Sequence, residues 1–210
     1  MTVENGMLID VFDGDINRDG TFTFPPGITK IDASAFENRP SLTKIIIPDT
    51  VTEIGNCAFY NCVNLKQVHL PKSLVSIGEH AFDYCEKLTK INLPNTITEI
   101  KDSTFSSCEK LKKIYIPDSV TKIHDHAFVN CYNLKEITIP NSVKTIGGWV
   151  FYGCKNLIKV TIPDSIQHID VHTFNFCPSL EEIIIPNETI GKTRNLTAEK
   201  IRKILKGKMI

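Results

Sequence analysis

Seven cysteines and six histidines are the residues of this 210-residue chain best suited to chemistry. Their spacing decides which chemistry is open. Cys62, Cys85, Cys108, Cys131, Cys154 and Cys177 recur every 23 residues, and Arg39 stands one period upstream. If successive 23-residue units stack, neighbouring Cα atoms lie roughly 5 Å apart, within disulfide reach. All six side chains would nevertheless point the same way into a core, which suits small buried hydrophobes better than bridges. No C-x-x-C pair is present for zinc or redox work. Cys57 and His80 fall on successive units in one column, Ser34, Cys57, His80, Ser103, His126, Trp149 and His172. Two metal ligands are conceivable there, but two ligands are not a site and no carboxylate shares the column. A Cys–His nucleophile would also need a pocket and an oxyanion donor. Half-buried or surface histidines are the simpler reading.

Asp15-Ile16-Asn17-Arg18-Asp19-Gly20 matches the first half of a calcium loop, yet its twelfth position is Pro26 where a bidentate Glu belongs. The segment reads instead as a polar turn entering a cap strand, Thr21–Phe24. Neither a phosphate-binding G-x-x-x-x-G-K-S/T loop nor a G-x-S-x-G nucleophile elbow occurs. These residues therefore predict no enzyme and no cofactor.

The elements that position these side chains come from a strict repeat. L-x-x-I-x-I-P, with Val or Leu sometimes replacing Ile, runs from Leu42 to Pro48. It returns at Leu65, Leu88, Leu111, Leu134, Leu157 and Leu180 without an insertion. A degenerate copy, Phe22-Thr23-Phe24-Pro25, precedes them. Phe36, Phe59, Phe82, Phe105, Phe128, Phe151 and Phe174 keep the same period. So do Ile31, Ile54, Ile77, Ile100, Ile123, Ile146 and Ile169. The I-x-I stretch alternates with period two and reads as a short strand with one buried face. Pro, lacking an N–H, stops it. One unit cannot bury its own apolar side, so units must stack around a shared core. About eight such coils at roughly 4.8 Å per strand make a parallel sheet on the order of 34 Å long.

The repeat resembles the BspA-like, or treponemal-type, leucine-rich repeat, whose hallmark is I-P-x-S-V-x-x-I-G-x-x-A-F-x-x-C-x-x-L-x-x-I. Ile116-Pro117-Asp118-Ser119-Val120, Ala127-Phe128, Cys131, Leu134 and Ile137 follow it closely. The resemblance spans about residues 25–186 and implies a right-handed, mainly β solenoid. It also implies a concave parallel sheet, with short strands and turns on the convex side. The family's use of this fold implies adhesion or protein binding. The chain then divides into an N-terminal cap with the degenerate repeat (1–27), repeats (28–190) and a C-terminal helical cap or tail (191–210). In the tail, Ala198, Ile201, Ile204 and Leu205 share one face of a short predicted helix ending at Gly207.

Lys plus Arg and Asp plus Glu are both 24, so the net charge is zero and exerts no general pull toward nucleic acid or anionic membrane. The acidic start lacks the apolar stretch of a secretory signal. That predicts a cytoplasmic protein, one exported without such a signal, or a piece of a longer surface chain. The x positions of L-x-x-I-x-I face solvent, and lysines gather there in the middle units. Lys90, Lys112, Lys113, Lys135 and Lys159, with Tyr115, are the candidate partner-binding residues. They suit an acidic protein segment or a polyanionic glycan. A stripe with one aromatic and no Arg does not suit nucleic acid. A monomer that binds protein is expected, as a scaffold, an exported effector or a surface adhesin.

Overall fold

A computed structural model describes residues 1–166 and 168–184. The predicted C-terminal helix lies outside the described residues. Each 23-residue unit forms one coil with three sides. The first side carries three-residue strands: Lys44–Ile46, Gln67–His69, Lys90–Asn92, Lys113–Tyr115, Glu136–Thr138, Lys159–Thr161 and Glu182–Ile184. The second carries two-residue strands: Lys30–Ile31, Glu53–Ile54, Ser76–Ile77, Glu99–Ile100, Lys122–Ile123 and Thr145–Ile146. The third, through the Ala-Phe-x-x-Cys segment, is a stack of turns.

Neighbouring strands pair parallel and in register, with Lys113 opposite Lys90 and Ile114 opposite Ile91. The long-strand face is not one unbroken ladder, however. Its strands form a four-stranded sheet ending at Lys113–Tyr115 and a three-stranded sheet starting at Glu136–Thr138. Thr21 contributes only an isolated bridge to Lys44 where a cap strand was expected.

The core is a set of columns. Successive phenylalanines stack face to face from Phe36 to Phe174, as at Phe59–Phe82, 5.1 Å apart and within 2° of parallel. Phe22 closes the stack edge-on against Phe36, at 4.9 Å and 88°. Such pairs contribute roughly 0.5–1.5 kcal/mol each beyond area burial. The hydroxyl column is polar cement: Ser73 Oγ donates to the Val51 carbonyl at 2.9 Å, and Ser119 Oγ to Ile97 at 2.7 Å.

The turn stack demands an unusual backbone. Ser34, Cys57, His80, Ser103, His126 and Trp149 have φ between 50° and 60°. Asn38, Asn61, Tyr84, Ser107, Asn130 and Phe176 form a second such column at 54° to 57°. The left-handed conformation costs roughly 1–2 kcal/mol for most side chains, which explains the frequent Asn and Ser. Interchain-style ladder bonds between turns offset that cost, as in Phe59 N–H to Ala81 O at 2.8 Å.

At the N-terminal end, Thr2–Glu4 and Met7–Asp10 form an antiparallel hairpin that pairs onto Lys30–Ile31. Arg39, standing where later coils place Cys, ties this hairpin down. Its Nε donates to Val11 O, and its guanidinium reaches Glu37 O at 2.8 Å and Asp10 Oδ1 at 3.4 Å.

Candidate functional site

On the long-strand face the inward residues Val68, Ile91, Ile114 and Ile137 are buried, and the residues flanking them stand out. Lys90, Lys112, Lys113, Lys135 and Tyr115 are all exposed, Tyr115 at 61%. Lys113 is the register partner of Lys90, and Tyr115 that of Asn92, so these side chains share one patch. Two hollows meet on it. One of about 450 Å³ is lined by Lys66, His69, Lys90 and Asn92 among others, and one of about 600 Å³ by Lys90, Lys112, Lys113 and Tyr115. Thr89 to Asn92 form their common wall. A third hollow, about 290 Å³, lies on the other side of Tyr115, toward Thr138 and Pro163. Tyr115 thus stands between hollows at the point where the sheet is interrupted.

Lys159 behaves differently from the other lysines. Its Nζ pairs with Glu182 Oε2 at 3.1 Å. Among the described residues, Lys66, Lys90, Lys112, Lys113 and Lys135 enter no ion pair. The unpaired positive charge therefore sits in the middle coils, and Glu181 and Glu182 turn the last described coil acidic.

The cysteine column is not chemically idle, but its work is structural. Each thiol donates to the Phe carbonyl of the preceding coil: Cys62 to Phe36 at 3.0 Å, Cys85 to Phe59 at 3.3 Å and Cys131 to Phe105 at 3.2 Å. Cys57, Cys62, Cys85, Cys108, Cys131 and Cys154 are free thiols. Burial pushes the Cys62 thiol up to about 12, and Cys85, Cys108, Cys131 and Cys154 well above the usual thiol range. Half-buried Cys57 is also pushed up, first by desolvation and then by Glu37, Asp83 and Glu79. A nucleophilic thiol needs the opposite environment.

The structure brings carboxylates to the histidine column. His80 Nδ1 lies 3.0 Å from Asp83 Oδ2, and Asp102 stands between His80 at 4.0 Å and His126 at 3.8 Å. Among the described residues no group of three or more His, Cys, Asp or Glu is arranged to hold a metal ion. In the calcium-like loop the acidic side chains cap turns: Asp15 accepts from Phe12 N–H at 2.9 Å, and Asp19 accepts from Thr21 N–H at 3.0 Å and its hydroxyl at 2.7 Å. The Thr21 bonds hold the Asp19 carboxyl below its usual range.

One cluster was not anticipated from the sequence. On the turn side, Trp149 stacks on His172 at 4.6 Å and on His126 at 6.4 Å. Tyr152 joins Trp149 to Phe176 at 4.9 and 5.0 Å. Trp149 and Phe176 stand in the two left-handed columns, two periods from Ser103 and Asn130 respectively. That mismatch of bulk and backbone was the only available sign.

Stacked coils with a Leu–Ile strand side and a Phe–Cys turn side define a leucine-rich repeat solenoid. The model of the BspA type leucine rich repeat region matches residues 20–135 and 99–204. The chain belongs to that family. Among solved structures it is similar to the T. pallidum leucine rich repeat protein, at 23% identity and a TM-score of 0.54, covering 94% of this chain and 87% of that one. It is also similar to a leucine rich cell surface protein of Faecalibacterium prausnitzii A2-165. That likeness has 25% identity and a TM-score of 0.52, over 87% of this chain and 70% of that one. No curated protein matches the chain. Among the described residues no helix is long and apolar enough to cross a membrane.

Proposed function

We propose that the chain is a non-catalytic protein-interaction module, a scaffold or exported effector, that receives an acidic segment on its long-strand face. The observation that carries this reading is the set of unpaired lysines, Lys90, Lys112, Lys113 and Lys135, around exposed Tyr115 and beside two joined hollows. Tyr is a rigid anchor of the kind enriched in binding hot spots, while the lysines speed encounter and set charge preference. Lys159, held by Glu182, contributes at the edge of the patch.

The experiment is fluorescence anisotropy with a labelled oligoglutamate peptide. Wild type binds it, and the triple variant K90E/K113E/Y115A does not. Raising ionic strength from low values to about 0.15 M weakens binding, because screening then acts within roughly 8 Å. Equal binding by the folded triple variant overturns the reading. A second reading, an adhesin displayed at a cell surface, draws support from the likeness to the F. prausnitzii cell surface protein.

A further inference from the structure

The turn side carries a second surface of opposite character. The left-handed conformation costs Trp149, at φ 59°, and Phe176, at φ 57°, as it does His80, His126 and Tyr84 in the same two columns. Neither aromatic regains that cost through burial, since Trp149 is 37% and Phe176 53% exposed. Val171, 66% exposed, adds to the apolar area. Exposed apolar surface of this kind marks interaction sites.

Charge stands directly beside this patch. Trp149 follows Gly147 and Gly148, which present no side chain. Asp125 on the preceding coil lies over Gly147, with Oδ1 2.2 Å from where a Cβ there would sit. Asp170 on the following coil lies beside Gly148, its Cγ 3.7 Å from the equivalent point. Each carboxylate uses one oxygen to accept a turn N–H, Asp125 from Gly148 at 2.8 Å and Asp170 from His172 at 2.8 Å. Neither enters an ion pair among the described residues. The result is a notch at Gly148, with the Asp170 carboxylate beside it, the Asp125 carboxylate covering Gly147, and an aromatic rim.

We propose that this notch is a docking surface for a protein segment bearing a Lys or Arg flanked by apolar side chains. The cation sits over Gly148 beside Asp170 and Asp125, and the apolar neighbours lie on Tyr152 and Phe176. Charge complementarity selects this occupant. The stacked histidines cover both faces of the Trp149 ring, one from each neighbouring coil, so the flat indole face that a sugar ring would need is closed. The notch is independent of the lysine face, which attracts the opposite charge.

Trp149 is the only tryptophan, so its fluorescence reports on the notch alone. The probe is the acetylated, amidated tetrapeptide Phe-Leu-Arg-Leu, with Phe-Leu-Glu-Leu and cellotetraose as competitors for the explanation. The arginine peptide shifts Trp149 emission saturably and the other two do not. D125N/D170N keeps the acceptors for Gly148 and His172 and weakens binding roughly fivefold or more, as expected for losing partly exposed pairs. K90E/K113E leaves this binding unchanged. The proposal is overturned by an equal response to the glutamate peptide or to cellotetraose, or by D125N/D170N binding as wild type. It is also overturned by no response to the arginine peptide, or by an emission shift on simple dilution, which would reveal a second copy as the occupant.

Discussion

The Cys108 thiol donates to the carbonyl of Phe82 on the preceding coil at 3.2 Å, and that same oxygen accepts the backbone N–H of Cys85 at 3.2 Å. One carbonyl therefore fastens a turn to itself and to the next coil. Serine offers the same donor, but cysteine brings a larger apolar atom to a site with no solvent. The repeat keeps a thiol because the position needs both.

Cys108→Ala removes the inter-coil donor but leaves the Phe82 oxygen bonded to Cys85. The loss should be about 1–2 kcal/mol, read from urea unfolding. Phe105→Ala, which opens the ring stack between Phe82 and Phe128, should remove about 3–5 kcal/mol. A Cys108→Ala loss as large as that of Phe105→Ala would mean the thiol is not a minor link.

The buried thiols predict both reactivity and pH dependence. Of Cys57, Cys62, Cys85, Cys108, Cys131 and Cys154, only half-buried Cys57 should react with a thiol reagent in the native state, and all six should react after denaturation. Dithiothreitol should leave the melting temperature unchanged.

For Cys62 the thiol is raised from 9.0 to about 12, so the folded chain holds its proton where the unfolded chain releases it. Stability is then fully present below pH 9.0 and declines as pH rises toward about 12. Melting curves across that window check the sign, and a flat profile would argue against burial of the column.

Gly78 tests how closely the coils approach. A Cβ there would lie 2.4 Å from Asn56 N and 2.5 Å from Gly55 O, both backbone atoms of the preceding coil. Gly78→Ala should cost about 1–3 kcal/mol, as overpacking does. Lys101 holds the equivalent position one coil later, and there the two-residue-strand ladder is interrupted, with Ser76–Ile77 and Glu99–Ile100 in different sheets. Lys101→Gly should therefore be tolerated or stabilising, measured by thermal melting.

Tyr115→Ala alone should lower affinity for the acidic probe with little change in melting temperature, because the ring is exposed rather than packed. A large loss of stability would show instead that Tyr115 supports the sheet where it parts from Glu136–Thr138.

Most of the solenoid was legible in the sequence because one period governs both burial and strand position. Ile114 and Phe105 announce their roles by recurring. What remained hidden depends on which side chains successive coils bring side by side. Lys159 reads as a member of the lysine stripe until Glu182 is seen beside it. Asp102 is invisible to a search within the histidine column, because it enters from the neighbouring one. The Thr2–Glu4 strand lies outside the repeat, so no period reveals the hairpin, although Leu8 stands one period before Ile31 and pairs with it. The candidate lysine patch was legible as a stripe, whereas the notch near Trp149 needed three coils in place.

The direction of the ladder bonds has a further consequence. On the turn side, N–H groups donate forward to the next coil, as His80 does to Asp102 and Phe105 to Ala127. On the two-residue-strand side the residue just after each strand donates backward, as Gly78 does to Ile54 and Gly147 to Ile123. These bonds oppose those of the turn side, whereas in a helix every peptide dipole points the same way. Lengthening such a rod coil by coil therefore builds up a weaker end charge than the turn side alone would.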